Sequence, residues 1–313
     1  MFLTITIFLV GFYILVKGAE ILIEGASSIA YKFGISTFII GITIAGIGTS
    51  LPEFGIAFLA NLAGEAGIAV STVIGSNIFD LLFVLGAAAM LVPLVMRQEW
   101  IKSGLAWNMA VALLVGLFAY FGTLNWFGGL IMISIFAFWI YKLSEDAKVM
   151  NNDKETERPR VNKLSFSLGM VVVGMAGILL GSRWVVDGAV EFAQALGISQ
   201  ALIGLTIISI GTSIDELVIS MVAAFRQKMG LAVGNIIGST IFNFLMVFGL
   251  SAVVAPIIFP RELLFDFAFF AFSSALLYFL MRRGKEEHIL SRLEGLSLIF
   301  LYFLYFIYAI IRG

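Results

Sequence analysis

The sequence predicts an all-α polytopic membrane protein: ten transmembrane helices as two inverted five-helix repeats, with broken helices at repeated motifs. Three observations point there. The 313-residue chain is 61% hydrophobic and 12% charged, against roughly 25% charged residues in a soluble domain. Its first half recurs in its second at a constant offset. Its basic residues fall on alternate loops of the resulting map.

Composition comes first. Ser103 to Tyr141 contains no charged residue, which is length enough for two spans of about 20 residues each. The turn signal Gly122-Thr123-Leu124-Asn125 divides them. With a mean hydropathy of +1.06, little of the chain remains for an extramembrane domain. The chain has no cysteine, so neither a disulfide framework nor a thiolate metal site is open to it. It has no Walker A pattern either, which speaks against ATP as an energy source. The lipid bilayer is the expected surrounding, and no nucleic-acid partner is expected. A monomer is the simplest expectation for the oligomeric state.

The repeat sets the organisation. At an offset of 163 positions, "GISTFIIGITIAGIGTSLPE" (34–53) falls on "GISQALIGLTIISIGTSIDE" (197–216). At the same offset "IAVSTVIGSNIFDLLFVLG" (68–86) falls on "LAVGNIIGSTIFNFLMVFG" (231–249), and Pro93 on Pro256. Glu24-Gly25-Ala26 likewise falls on Asp187-Gly188-Ala189. The first apolar segment has a partner in 165–186 and lacks a basic leader, so it reads as part of the fold and not as a signal peptide. Each half reads as five spans. They lie near 2–23, 37–61, 66–92, 104–122 and 126–142, then near 165–186, 200–224, 229–255, 264–281 and 293–311. The first repeat is thus 1–142 and the second 165–313, joined by a polar linker, 143–164, expected as a solvated loop.

An odd number of spans per half inserts the halves in opposite senses. Of the 19 basic residues, 15 fall on loops after odd-numbered spans, among them Arg97, Lys102, Arg226, Arg282 and the six of the linker region. Lys17 and Arg183 sit near span ends, where long side chains snorkel. The positive-inside rule then puts the 143–164 loop in the cytoplasm and both termini outside, in a multi-pass protein of the cell membrane. Inverted repeats are a design of secondary transporters, whose site lies near the bilayer midplane at the repeat interface.

"GTSIDE" (211–216) sets Asp215 and Glu216 in a run with no other charge between Phe192 and Arg226. Its twin is "GTSLPE" (48–53), ending in Glu53. Symmetry makes Glu53 and Glu216 face one another near the bilayer centre. A lone ionised carboxylate there costs about 2.5–3.5 kcal/mol or more, so a pair calls for a cation between them. Gly48, Thr49, Ser50 and Pro52 together predict a broken helix whose carbonyls and hydroxyls line the same cavity. "GSNIFD" (75–80) and "GSTIFN" (238–243) each suggest a Gly-Ser break. Each sets a second oxygen side chain one turn after the serine: Asp80 after Ser76, Asn243 after Ser239. Carboxylate, hydroxyl, amide and carbonyl oxygens suit hard cations such as Ca²⁺ and Na⁺. The bland alternative for the hydroxyls is a bond to a carbonyl one turn back. Glu20 and Glu24 read as solvated residues at the end of the first span. Trp100, Trp107, Trp126 and Trp184 read as interface anchors.

These paired "GTS-x-x-E" and "GS-x-I-F-(D/N)" segments resemble the repeats of the cation/calcium antiporter superfamily, and most of all its prokaryotic Na⁺/Ca²⁺ exchangers. The resemblance rests on residues 34–93 and 197–256. It implies a transporter, not an enzyme, that works without a cofactor and carries Ca²⁺ and Na⁺. It implies Ca²⁺ held by Glu53, Glu216, Thr49 and Thr212, with carbonyl help near Gly46 and Ser209. Na⁺ would take overlapping sites that add Ser76, Ser239, Ser50, Ser213, Asp80 and Asn243. Spans 1 and 6 would slide across the other eight to alternate access.

Two departures from that pattern stand out. Asp215 replaces the proline that the family repeats, which could leave span 7 less broken than span 2. Asp215 either leaves the cavity for water or Thr/Ser partners, or adds a fourth carboxyl to it. The acid, Asp80, lies in the first half and the amide, Asn243, in the second, which argues against K⁺ co-transport. H⁺/Ca²⁺ exchange on the same fold is the main alternative, although relatives of that kind usually carry "GN" in place of "GTS". A passive channel fits the inverted repeats poorly. An aspartyl protease would need Asp80 and Asp215 in contact, from non-equivalent repeat positions.

Overall fold

The computed structural model describes residues 2–149, 163–195, 209–282 and 287–312. Six helices come first: α1 (Phe2–Phe33), α2 (Thr37–Thr49), α3 (Leu51–Leu62), α4 (Ala66–Leu91), α5 (Gln98–Phe121) and α6 (Trp126–Val149). Then follow α7 (Leu164–Ala195), α8 (Ile214–Phe225), α9 (Met229–Val254), α10 (Arg261–Met281) and α11 (Arg292–Arg312). Among the described residues eight helices are long and apolar enough to cross a membrane, or nine if α2 and α3, bent by 46°, form one span. Residues 200–208 of the remaining expected span lie outside the described residues. Its later part is a helical turn, Ser209–Gly211, followed by α8.

Three helices run beyond their hydropathy. α1 continues past 23 to Phe33, α6 past 142 to Val149 and α7 past 186 to Ala195. The polar extension of α6 is helix-compatible: Glu145 pairs with Lys142 at 3.2 Å and accepts from the Tyr141 hydroxyl at 3.0 Å, contacts that favour a helix. Residues 143–149, expected as loop, are therefore helical, and 150–162 lie outside the described residues. Glu20, expected in solvent, is paired with Lys17 at 2.8 Å and with Arg226 at 3.0 Å, which ties α1 to the end of α8.

Glycine spacing decides which helices meet. Gly11, Gly18 and Gly25 recur every seventh residue on α1, as Gly174, Gly181 and Gly188 do on α7. A methyl group at Gly18 would stand 2.8 Å from the Gly174 oxygen, and one at Gly181 2.5 Å from the Leu15 nitrogen. The two helices therefore run antiparallel with their backbones in contact. The same device joins α2 to α9, where a methyl group at Gly238 would lie 2.4 Å from the Ile42 oxygen.

The motif helices form the centre. The apolar stretches of α4 and α9 are 72% and 83% buried, against 17–39% for the other candidate spans. Neither helix breaks at its Gly-Ser pair, as the sequence suggested. Both stay helical there and take a π-turn just beyond, at Phe79–Val84 and Asn243–Val247. At Gly238 the glycine serves close approach; at Gly75 a methyl group would meet nothing within 4 Å. Two short ribbons each join loops from both halves. β1 (Leu94–Arg97) pairs with β4 (Glu287–Leu290), and β2 (Thr123–Leu124) with β3 (Ile257–Ile258). Trp100 is no interface anchor: it is 4% exposed and stacks on Phe38, ring centroids 5.3 Å apart. Trp126, 60% exposed, fits that role.

Candidate cation site

Helix breaks build the site. Between α2 and α3, Ser50 leaves the helical conformation at φ −80°, ψ 2°. Pro52, at the second position of α3, has no N–H to leave unsatisfied at a helix start. Before α8, Ser213 adopts φ −110°, ψ 18°. A break is thus present here without a proline. Asp215 solves the donor problem in another way: its Oδ1 accepts the Glu216 N–H at 3.1 Å. Asp215 is 1% exposed, which overturns the reading that it meets water.

Glu53 and Glu216 sit one residue after these positions, 0% and 1% exposed. Neither oxygen of Glu53 has a hydrogen-bond partner, nor does either oxygen of Asp80, nor Oε2 of Glu216. Glu53 interacts electrostatically with Glu216 and Asp80, and Asp215 with Glu216 and Glu53. Five unpartnered carboxyl oxygens in an apolar bundle are a large unmet demand for positive charge. Among the described residues no three His, Cys, Asp or Glu side chains converge closely enough to hold a metal ion. A cation here would need hydroxyl, amide and carbonyl oxygens to complete its shell.

Those oxygens are present. The Gly46 carbonyl accepts from Ser50 at 2.9 Å, from Ser239 at 3.1 Å and from Thr49 at 3.4 Å. Thr49 and Ser239 hydroxyls are 3.3 Å apart, and both lie within reach of Glu216. Thr49 also donates to Ala45 O at 3.0 Å, and Ser76 to Val73 O at 3.2 Å. The backbone-bonding alternative thus holds for Thr49, Ser50 and Ser76. It does not remove them from the site, because a hydroxyl that donates its proton keeps lone pairs for a cation. Ser213 is fully buried with its hydroxyl unpartnered. Thr212 is partly buried and has a partner. Ser209 opens the helical turn before the break, and its side chain lies outside the described residues.

Two residues escaped the sequence reading. Asn77 accepts from Asn243 Nδ2 at 3.2 Å. Asn235 donates to the Glu216 carbonyl at 3.3 Å and to Ser220 Oγ at 3.0 Å. The available signal was an amide inside an otherwise apolar span, which needs a partner wherever it is buried.

The family described as sodium/calcium exchanger protein matches residues 3–144 and 166–311. CaxA of Alkalimonas amylolytica is 35% identical over 309 residues, covering 95% of this chain and 96% of that one. The sodium/calcium exchanger MaX1 of Methanosarcina acetivorans is 28% identical over 290 residues, covering 80% of this chain and 83% of its own. A solved structure of the sodium-calcium exchanger NCX_Mj matches with a TM-score of 0.84 at 27% identity, covering 96% of this chain and 97% of that one. The similarity thus spans both motif pairs and every described helix. This chain is a membrane transport protein, not an enzyme, and belongs to the sodium/calcium exchanger protein family.

Proposed function

We propose that this chain is a secondary active antiporter that exchanges Na⁺ for Ca²⁺ across the cell membrane by alternating access. The observation that carries the reading is the set of buried, unpartnered oxygens on Glu53, Asp80 and Glu216. Glu53 and Glu216 hold Ca²⁺, joined by the Thr49 and Thr212 hydroxyls and by carbonyls at Gly46 and Ser209. Na⁺ uses overlapping positions that add Ser50, Ser76, Ser213, Ser239, Asp80 and Asn243. Because the two ions share oxygens, each displaces the other, and Na⁺ entering down its gradient drives Ca²⁺ the opposite way. The glycine seam lets α1 and α7 slide as a pair while the motif helices stay packed. The 1–142 and 165–313 repeats lie inverted in the bilayer, with the 143–164 segment cytoplasmic and both termini outside.

H⁺/Ca²⁺ exchange is the second reading, and Asp215 favours it: a buried carboxyl beside Glu216 gives a proton somewhere to sit. Uptake of radiolabelled Ca²⁺ into proteoliposomes separates the two. Vesicles loaded with Na⁺ should take up Ca²⁺, and K⁺-loaded vesicles should not. Uptake driven by a pH gradient in the absence of Na⁺ would favour H⁺ as the coupling ion.

A further inference from the structure

The hydrogen bond between Asn243 and Asn77 has a direction. Asn243 Nδ2 donates to Asn77 Oδ1 at 3.2 Å across the contact between α9 and α4. Both side chains are buried, 1% and 0% exposed. A carboxamide has one donating end and one accepting end. With its NH₂ end committed to Asn77, Asn243 is left with Oδ1 buried and unpartnered, like both oxygens of Asp80, while Asn77's own Nδ2 is also unpartnered. The reverse arrangement would turn the NH₂ of Asn243 to where a cation needs an oxygen.

The other half of the pseudo-symmetric pair does without this contact. Thr240 is the repeat counterpart of Asn77, and its hydroxyl donates to Ile236 O, one turn back, at 2.9 Å. Asp80 is the counterpart of Asn243, and a carboxylate presents oxygen at both ends. The amide needs a director and has one; the acid needs none and has none.

We propose that Asn77 is a positioning residue: it holds the Asn243 amide with its oxygen free for a cation, and so sets the affinity of that position for Na⁺. The inference rests on the Na⁺/Ca²⁺ reading above. It concerns orientation and not charge, so it makes a demand that a packing role does not. Removing Asn77's acceptor should matter while residue 243 is an amide. It should cease to matter when residue 243 is a carboxylate.

The test uses the full chain in proteoliposomes. Radiolabelled Ca²⁺ uptake is followed while internal Na⁺ is varied, giving half-saturating Na⁺ and maximal rate separately. The variant is Asn77→Thr, since threonine already occupies the equivalent helical position in the other half and there bonds its own backbone. Half-saturating Na⁺ should rise about tenfold with the maximal rate within about twofold of wild type. In an Asn243→Asp background the same substitution should change half-saturating Na⁺ less than about twofold. An unchanged half-saturation in Asn77→Thr, or an equal rise in both backgrounds, would overturn the proposal. Absence of Na⁺-dependent uptake in the wild type would instead overturn the underlying Na⁺/Ca²⁺ reading.

Discussion

The first motif pair presents its acids bare, whereas the second holds its ligands in place. Glu53 and Asp80 have four carboxyl oxygens between them and no hydrogen-bond partner for any. Around Glu216 one oxygen is free, the backbone carbonyl is held by Asn235, and Asn243 is held by Asn77. The starts of α3 and α8 differ in the same manner, Pro52 removing a donor where Asp215 accepts one. The difference teaches that inverted repeats need not divide the work evenly. The Glu53 and Asp80 oxygens are left without hydrogen bonds, whereas Glu216 has the Thr49 and Ser239 hydroxyls within reach and its carbonyl bonded to Asn235.

That division can be broken where it is strongest. Glu53→Gln removes a carboxylate whose oxygens have no hydrogen-bond partner, and should lower Na⁺-dependent Ca²⁺ uptake by more than about 100-fold. Glu216→Gln should cost less, because Asp215, Thr49 and Ser239 remain beside it. Equal losses would argue against the asymmetry. Exchanging acid and amide sharpens the point. Asp80→Asn alone should weaken Ca²⁺ uptake about tenfold, and adding Asn243→Asp should restore at least part of it, since total charge then returns. Failure of the pair to exceed the single variant would mean that the acid is needed in the first half for its place and not only its charge. The smallest effect is expected at Asn235. Asn235→Leu breaks two hydrogen bonds that join α9 to α8, which should lower thermal stability by about 1–2 kcal/mol. It should raise half-saturating Ca²⁺ only a few-fold.

Much of this was legible in the sequence because it depends on residue type and spacing. The 163-residue offset brings out the acids at 53 and 216 together, and an acid inside an apolar span has few roles other than function. The break before Glu53 was legible from Pro52. How the matching break before Glu216 is satisfied was not, since its donor is met by a side chain whose direction no pattern encodes. The π-turns that carry Asp80 and Asn243 were also hidden. Hydropathy registers which residues are apolar, but not whether a carbonyl is paired four or five residues ahead. The ends of α1, α6 and α7 were missed for a related reason, because polar residues such as Glu145 continue a helix as readily as they form a loop. Trp100 was misread as an anchor because tryptophan near a span end suits both the interface and a stacked core position. The roles of Asn77 and Asn235 depend on hydrogen-bond direction between helices, which only coordinates reveal.

The central proposal is that Glu53 and Glu216 hold Ca²⁺ through oxygens that Na⁺ shares, so that each ion displaces the other. Equilibrium binding of radiolabelled Ca²⁺ to the purified protein, titrated with Na⁺ at constant ionic strength, tests it most directly. The account predicts saturable Ca²⁺ binding that Na⁺ displaces competitively and choline does not, and that Glu53→Gln abolishes. Ca²⁺ binding that persists unchanged in high Na⁺, or survives Glu53→Gln at wild-type affinity, would contradict it.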